Sequence, residues 1–443
     1  MSKLSKIICA GGYACVLVSL LAVLLVACRK QDEVPPRVAW LSPTGSSAYA
    51  YPSSIAVKAH VSDDRSIARI SLLVFHQTSS YPLANTDIPV PDATEFHIDE
   101  TVIFDDIYAP SGDYTVQLRV SDGDNETISS RSIALYEAPR VLTAVLAASS
   151  DGAAGFRIDS LQGNAFVSAY EDNWHYRMGA LNSRHQVLFI AGKDYEGVKT
   201  LRLSDFETAA QVSVPNDAGD EQFTCSAIDP VRQTALFGSL DGTVLGFNSL
   251  GQLSASYSLS TGYVPVSVAT GQDRIAVLAS GLNQSRVELF NATNGVKLQS
   301  LLLSAAEVHY LIAHPNGQDF WVLAQDGEDA VGMRYDPVAG LVTPLPAPVV
   351  SGGTITQVSG DSGGIFIAVS DNALLRLNTL DLSAEISTPC ALPCTALSYD
   401  AVNQDLWVLT SGTLYRYDAS SLAVEATFTP PAGCQSLWLV YNK

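Results

Sequence analysis

The 443-residue chain reads as all-β in two parts, on three observations. After residue 36, short apolar stretches alternate with turn residues, and no 3.6-residue periodicity runs long enough for a sizeable helix. Residues 37–140 hold strands with period-two alternation in a stretch of sandwich size. Residues 141–443 repeat a four-strand unit with a period near 43 residues. The expected architecture is a β-sandwich followed by a seven-bladed β-propeller, closed by pairing of its N- and C-terminal strands.

At the start, Lys3 and Lys6 precede an apolar run over residues 7–27 that closes in Leu25-Val26-Ala27-Cys28. About 20 apolar residues suffice to span a bilayer, but charges first and small residues before a cysteine favour a cleaved leader. The segment resembles a bacterial lipoprotein signal peptide. That resemblance implies a signal peptide over 1–27, acyl chains on Cys28 and a lipidated tether over 28–36. Several acyl chains anchor stably where one alone binds marginally. Arg29, where inner-membrane retention uses Asp, implies the outer membrane. Lys30-Gln31-Asp32-Glu33 resembles, with Gln31 inserted, the signal that sends lipoproteins of Bacteroidetes-type bacteria to the cell surface.

The net charge is −20, and loss of Lys3 and Lys6 with the leader leaves about −22. Such acidity repels nucleic acid and anionic lipid, so neither is an expected partner. Hydrophobic residues make up 47% and charged residues 16%, which fits a large β-rich core and excludes disorder.

In residues 37–140, Ile55, Val57, Ala59 and Val61 alternate, as do Tyr114, Val116, Leu118 and Val120, with the continuous apolar run Ile70–Phe75 between them. Gly112-Asp113-Tyr114 resembles the tyrosine corner of an immunoglobulin-like sandwich, and about 100 residues in roughly seven strands fit that fold. Asp63-Asp64 and Asp122-Gly123-Asp124-Asn125 follow two of these strands. In an Ig-like sandwich their loops share one pole, so Asp63, Asp64, Asp122 and Asp124 are calcium-ligand candidates, set against their ordinary role as turn formers.

From Val141 on, a strongly apolar second strand recurs as Val187–Ala191, Thr234–Phe237, Ile275–Leu278, Phe320–Leu323, Ile365–Val369 and Leu406–Leu409. A closing turn recurs at Asp159, Asp205, Asn248, Asn291, Asp336, Asn378 and Asp418, at intervals of 46, 43, 43, 45, 42 and 40. The first unit lacks its innermost strand, and Gln435–Val440 supplies an orphan one. Placing it there removes two open sheet edges. This closure resembles that of WD40 and YVTN propellers.

Cys9 and Cys15 leave with the leader, and no CxxC spacing marks a zinc site. Cys394 and Cys434 fall at equivalent positions of blade-entry strands, where a disulfide would add about 2–4 kcal/mol. Cys390 with either is an equally open pairing, and Cys225 is expected free.

Gly360-Asp361-Ser362-Gly363-Gly364 resembles the serine surroundings of trypsin-like proteases and fits G-x-S-x-G. It falls on a strand-to-strand turn with no helix after it, so Ser362 is expected as a turn residue. Ser239-Leu240-Asp241-Gly242-Thr243 partly resembles the Asp-box of sialidases, a structural hairpin. No catalytic residue is expected.

Loops leading from one blade to the next gather on one face. There the sequence places Tyr170, Glu171, Asp172, Trp174, His175 and Tyr176, then Asp217, Asp220 and Glu221, then Tyr263, then Glu307, His309 and Tyr310. Second-to-third-strand loops add Asp194, Tyr195, Asp326, Glu328 and Asp329. Rings beside carboxylates suit glycan or peptide recognition, although such residues also simply pack loops. The ligand candidates are Tyr170, Asp172, Trp174, Tyr176, Asp220, Tyr263, His309 and Tyr310. The expected function is a lipid-anchored envelope protein binding a glycan, peptide or protein, with no cofactor beyond calcium. Two alternatives stand beside it. One is a carbohydrate-active hydrolase or lyase using Asp172, Asp220, Glu221 or Asp326. The other is a structural subunit of an outer-membrane complex.

Overall fold

The computed structural model describes residues 33–150, 155–193, 196–214, 222–304, 307–361, 364–370, 373–390 and 393–443. Cys28, Asp194, Tyr195, Asp217, Asp220, Glu221 and Ser362 lie outside the described residues. All secondary structure among the described residues is β, and the chain divides into two compact units at Pro139/Arg140.

Among the described residues, the first unit has eight strands: β1 (Arg37–Ser42), β2 (Ser47–Ala50), β3 (Ser53–Ser62), β4 (Arg69–His76), β5 (Pro82–Ile88), β6 (Glu95–Phe104), β7 (Gly112–Ser121) and β8 (Glu126–Tyr136). They form a β1-β3-β6 sheet and a β2-β8-β7-β4-β5 sheet, antiparallel except for the short β2, which pairs in parallel with β8. That short strand is the one beyond the seven expected. Alternation decides the core: Ile55, Val57, Ala59 and Val61 on β3, Ile70, Leu72 and Val74 on β4, and Tyr114, Val116, Leu118 and Val120 on β7 share one buried cluster. Tyr114 Oη donates to Pro110 O at 2.9 Å, closing the corner, and burial pushes its phenol up to about 12.

Among the described residues, the second unit contains seven four-stranded antiparallel sheets. Sheets 2 to 7 each take four consecutive strands. Sheet 1 is composite: Cys434–Tyr441 pairs with Leu142–Ser150, followed by Phe156–Gln162 and Ala165–Asp172. Leu437 stands opposite Ala147 and Leu439 opposite Val145. The second strands Val187–Gly192, Thr234–Ser239, Gly364–Val369 and Asp405–Thr410 are buried along their whole length, which is why they read as unbroken apolar runs.

The entry strands are Cys434–Tyr441 for sheet 1, then Tyr176–Asn182, Phe223–Asp229, Val264–Thr270, Glu307–Ala313, Ile355–Asp361 and Cys394–Asp400 for sheets 2 to 7. Side-chain hydrogen bonds join neighbouring entry strands in a cycle. Tyr176 Oη donates to Ser436 Oγ at 2.6 Å, Ser226 Oγ to Gly179 O at 3.1 Å, and Thr224 Oγ1 to Pro265 O at 2.7 Å. Leu311 N donates to Ser267 Oγ at 3.1 Å and Tyr310 Oη to Thr356 O at 2.9 Å. Tyr399 N donates to Ser359 Oγ at 3.0 Å, and Tyr441 Oη to Asp400 Oδ1 at 3.0 Å, returning to the first strand.

All seven entry strands also carry a bulge near their start, between Cys434/Ser436, Tyr176/Met178, Phe223/Cys225, Pro265/Ser267, Val308/Tyr310, Ile355/Gln357 and Cys394/Ala396. A bulge inserts one unpaired residue and increases the local twist. It also breaks the period-two pattern, so these strands are faint in the sequence.

The turn residues explain the repeat length. Asp205, Asn248, Asn291, Asp336, Asn378 and Asp418 each accept a hydrogen bond from the amide two residues on. Asp159 is a correction to this series. It lies within Phe156–Gln162, almost fully buried, and takes Arg157 Nε at 2.8 Å, because its hairpin runs on to turn at Gly163.

Candidate functional site

A cleft of about 380 Å³ opens at the end of sheet 1, lined by Ser149, Gly155, Phe156, Arg157, Glu171, Asp172 and Ala432. Strand ends place these residues: Ser149 is the penultimate residue of one strand, Phe156 opens the next, and Asp172 ends the outermost. Gly155 permits the approach. Its φ is +114°, and a Cβ there would stand 2.0 Å from the carbonyl oxygen of Asp172.

Asp172 is the electrostatic centre of this wall. It accepts hydrogen bonds from Tyr170 Oη and Lys199 Nζ. Burial alone would raise its carboxyl, but the bonds from Lys199 and Tyr170 outweigh burial and hold it below the usual range. Burial, then the hydrogen bond to Asp172, pushes the Tyr170 phenol up to about 12. Lys199 Nζ also sits 4.2 Å from the centre of the nearly buried Trp174 ring, a cation–π contact. Arg157 and Glu171 line the cleft from opposite strands as Cα partners, so the wall offers both charges.

The sequence-predicted face is therefore brought together only in part. Tyr170, Asp172 and Trp174 converge, on a strand and its exit turn. Tyr176 does not join them as a ligand group: it is buried on the entry strand of sheet 2, its hydroxyl spent on Ser436, and burial raises its phenol strongly. Tyr263 packs beneath the Arg286 guanidinium at 4.1 Å, in sheet 4. There the fully buried Glu288 pairs with Lys297 Nζ at 2.7 Å and Arg286 Nη1 at 3.3 Å. Tyr310 is committed to Thr356, with burial pushing its phenol up to about 12, and His309 lies on the same entry strand of sheet 5. Asp326 and Glu328 are exposed at a hairpin, Asp326 opposite Asp329. Lys199 and Arg157 are functional candidates missed from sequence. A lysine inside the otherwise buried stretch Val198–Leu201 was the available sign.

At the sandwich loops, Asp122 Oδ1 accepts from the amides of Asp124 (2.7 Å) and Asn125 (2.6 Å), and Asp124 pairs with Arg65 Nη1 at 3.0 Å. Asp64 N donates to Asp63 Oδ1 at 2.9 Å. Turn capping thus engages Asp122 and Asp63, and an arginine pairs with Asp124. Among the described residues, no group of three or more His, Cys, Asp or Glu side chains stands where it could hold a metal ion.

The disulfide candidates are also corrected: Cys390, Cys394 and Cys434 form no disulfide, and neither does Cys225. Cys394 and Cys434 do sit at equivalent positions, but each thiol faces the carbonyl two residues on, Ala396 O at 3.3 Å and Ser436 O at 3.7 Å. Ser362 lies outside the described residues; on either side of it Asp361 pairs with Gly364 across two antiparallel strands. The Asp-box-like string is a turn in which Asp241 Oδ1 accepts from Thr243 N at 2.9 Å.

No family model matches the chain, and no curated protein matches it either. Among solved structures the chain is similar to the Cps50 (Swd1) beta-propeller domain of Myceliophteria thermophila, at 10% identity over 59% of this chain and 88% of that one, with a TM-score of 0.48. It is similar to Sqt1 of Saccharomyces cerevisiae, at 15% identity over 67% and 84%, TM-score 0.49. It is also similar to a quinonprotein alcohol dehydrogenase-like protein from Bacteroides thetaiotaomicron, at 8% identity over 92% and 99%, TM-score 0.48.

Proposed function

We propose that the protein is a lipid-anchored component of the outer membrane, displayed at the cell surface, that binds a glycan, peptide or protein on a β-propeller platform. In this reading residues 37–140 are an Ig-like spacer and residues 141–443 a seven-bladed propeller. The hydrogen-bonded cycle of entry strands supports the ring. So does a cavity of about 280 Å³ lined by four of those strands, with Ala180, Ala227, Tyr399 and Leu439 among its residues. Acylation of Cys28 rests on the leader alone.

The observation that carries the binding reading is the cleft at the end of sheet 1. It is small, mixed in charge and built on strand ends whose neighbours are locked in place. Asp172, held below its usual range by Lys199 and Tyr170, keeps its charge and is poorly suited to the general-acid role of a hydrolase. The experiment is a glycan and peptide array probed with the mature protein and with Arg157→Ala and Glu171→Ala. Binding lost in both variants supports the reading. Product release from a polysaccharide panel, abolished by Asp172→Asn, replaces it with the enzyme. Palmitate labelling that disappears in Cys28→Ala tests the anchor.

A further inference from the structure

The cavity of about 280 Å³ among the entry strands holds one cation and no anion. Its lining takes Arg140 together with Ser183, Ser226, Ser398 and Tyr441, and contains no carboxylate and no other charged side chain among the described residues. Arg140 is exposed, and its guanidinium lies over the Tyr441 ring, 3.8 Å from the ring centre. No carboxylate among the described residues pairs with it. Elsewhere in the same unit Arg157, Arg232, Arg286 and Arg334 each pair with an Asp or Glu. The support beneath Arg140 is fixed. Tyr441 is buried, its hydroxyl donates to Asp400 Oδ1 at 3.0 Å, and its amide donates to Ser183 Oγ at 3.2 Å. Because Ser183 Oγ accepts there, its own O–H remains able to donate to a ligand. Each of the four strands is also the edge of its sheet, so part of its backbone has no partner in the ladder. Leu181, Ile228, Leu437 and Leu439 supply apolar wall.

We propose that this cavity binds a carboxylate carried on a short apolar body, with Arg140 as its counter-ion. A guanidinium presents a planar fork that meets a carboxylate through two parallel N–H···O bonds. Stacking on Tyr441 holds that fork in one plane and leaves its N–H edge to the ligand. A single cation suits a monoanion, whereas a phosphate monoester carries close to two negative charges and would leave one uncompensated. The chain's net charge of −20 repels anions in general, so an arginine without a paired acid is where one can settle. The inference rests on the platform reading in taking this unit as the ligand-binding one, but it uses no residue of the sheet 1 cleft. Ala432, which lines that cleft, precedes the start of the strand that Tyr441 ends.

The test is calorimetric titration of the mature protein at neutral pH with butyrate, with N-acetyl-trialanine, and with the C-terminal amide of that peptide. Saturable binding of butyrate or of the free-acid peptide is expected, at one per chain. The amide should bind about tenfold more weakly or worse, because it loses the charge-assisted pair. Arg140→Ala should weaken acid binding by a similar factor, and Arg157→Ala should leave it unchanged. Butyrate binding alone marks a free acid as the ligand, and peptide binding alone marks a chain terminus. Arg140 is exposed, so unchanged melting of Arg140→Ala verifies that the variant folds. No saturable binding of either acid, equal binding of acid and amide peptides, or binding undiminished in Arg140→Ala overturns the proposal. An array ligand lost in Arg157→Ala and Glu171→Ala would stand in either case, so the two sites fail separately.

Discussion

Tyr441 reaches across 41 residues of sequence to donate its hydroxyl to Asp400 Oδ1 at 3.0 Å, both residues buried. The same Asp400 oxygen accepts the amides of Val402 (3.0 Å) and Asn403 (3.2 Å). One carboxylate therefore shapes the first hairpin of sheet 7 and binds it to the strand that completes sheet 1. Tyr441→Phe removes the donor and leaves the ring packing intact. The expected cost is about 1–3 kcal/mol, read as a lower urea midpoint with an unchanged slope. A wild-type midpoint would show that this contact contributes nothing to closure.

Lys199 and Asp172 form a nearly buried pair, with side chains 8% and 13% exposed. Lys199→Met strands the carboxylate and is expected to cost about 3–5 kcal/mol. The double variant Lys199→Met/Asp172→Leu should recover most of that loss, because neither charge is then left alone. Equal destabilisation of single and double variants, in a double-variant denaturation series, would contradict this account.

Acid should weaken the second unit. Asp172, Glu288 and Asp319 are each raised by burial but lowered further by hydrogen bonds from Lys199, Lys297 and Arg334, ending below their ordinary values. A carboxyl depressed in the folded state stabilises above its unfolded pKa, and that contribution is lost as pH falls through the folded value. Asp405, raised first by burial, acts in the opposite sense but is one against three. The urea midpoint should hold from neutral pH down to about 4.5 and then decline. Constant stability down to about pH 3 would rule this out.

Gly155→Ala should be disruptive for two reasons. The φ of +114° disfavours any side chain, and the added methyl would collide with the Asp172 carbonyl. A loss above about 1 kcal/mol is expected, with weakened ligand binding at the cleft. Gly163→Ala, also at positive φ but with open space around its Cβ, is the control. Similar losses in both would show that backbone strain, not the approach to Asp172, matters.

The thiols should be slow to react. Burial pushes Cys225 up to about 11 and Cys394 and Cys434 up to about 12, so almost no thiolate is present at neutral pH. In native protein these three should resist a disulfide reagent, then react promptly in urea. Fast native labelling of Cys394 would contradict its burial.

What was legible in the sequence follows from which residues make local, repeated contacts. Asn248, Asn291 and Asp336 cap turns through their own backbone, so the residue type marks the position without tertiary information. Asp159 imitated that mark from inside a strand, where Arg157 and not a turn amide holds it. Runs such as Val187–Ala191 announced themselves because both faces are covered. The candidate face was harder to read, since the side of a strand on which Tyr176 or Tyr310 emerges depends on a bulge that shifts the alternation. Lys199 stands out as a lysine in an apolar stretch, but its partner Asp172 belongs to a different sheet, so the pairing is not legible in the sequence.

The composite first sheet imposes an order of events on the nascent chain. Six sheets consist of successive hairpins and can begin pairing as soon as each has been synthesised. Leu142–Ser150 must keep one edge unmated until residues 434–441 exist, almost three hundred residues later. Until that keystone arrives, Val145, Ala147 and their backbone amides present an unpaired edge to which another strand can add.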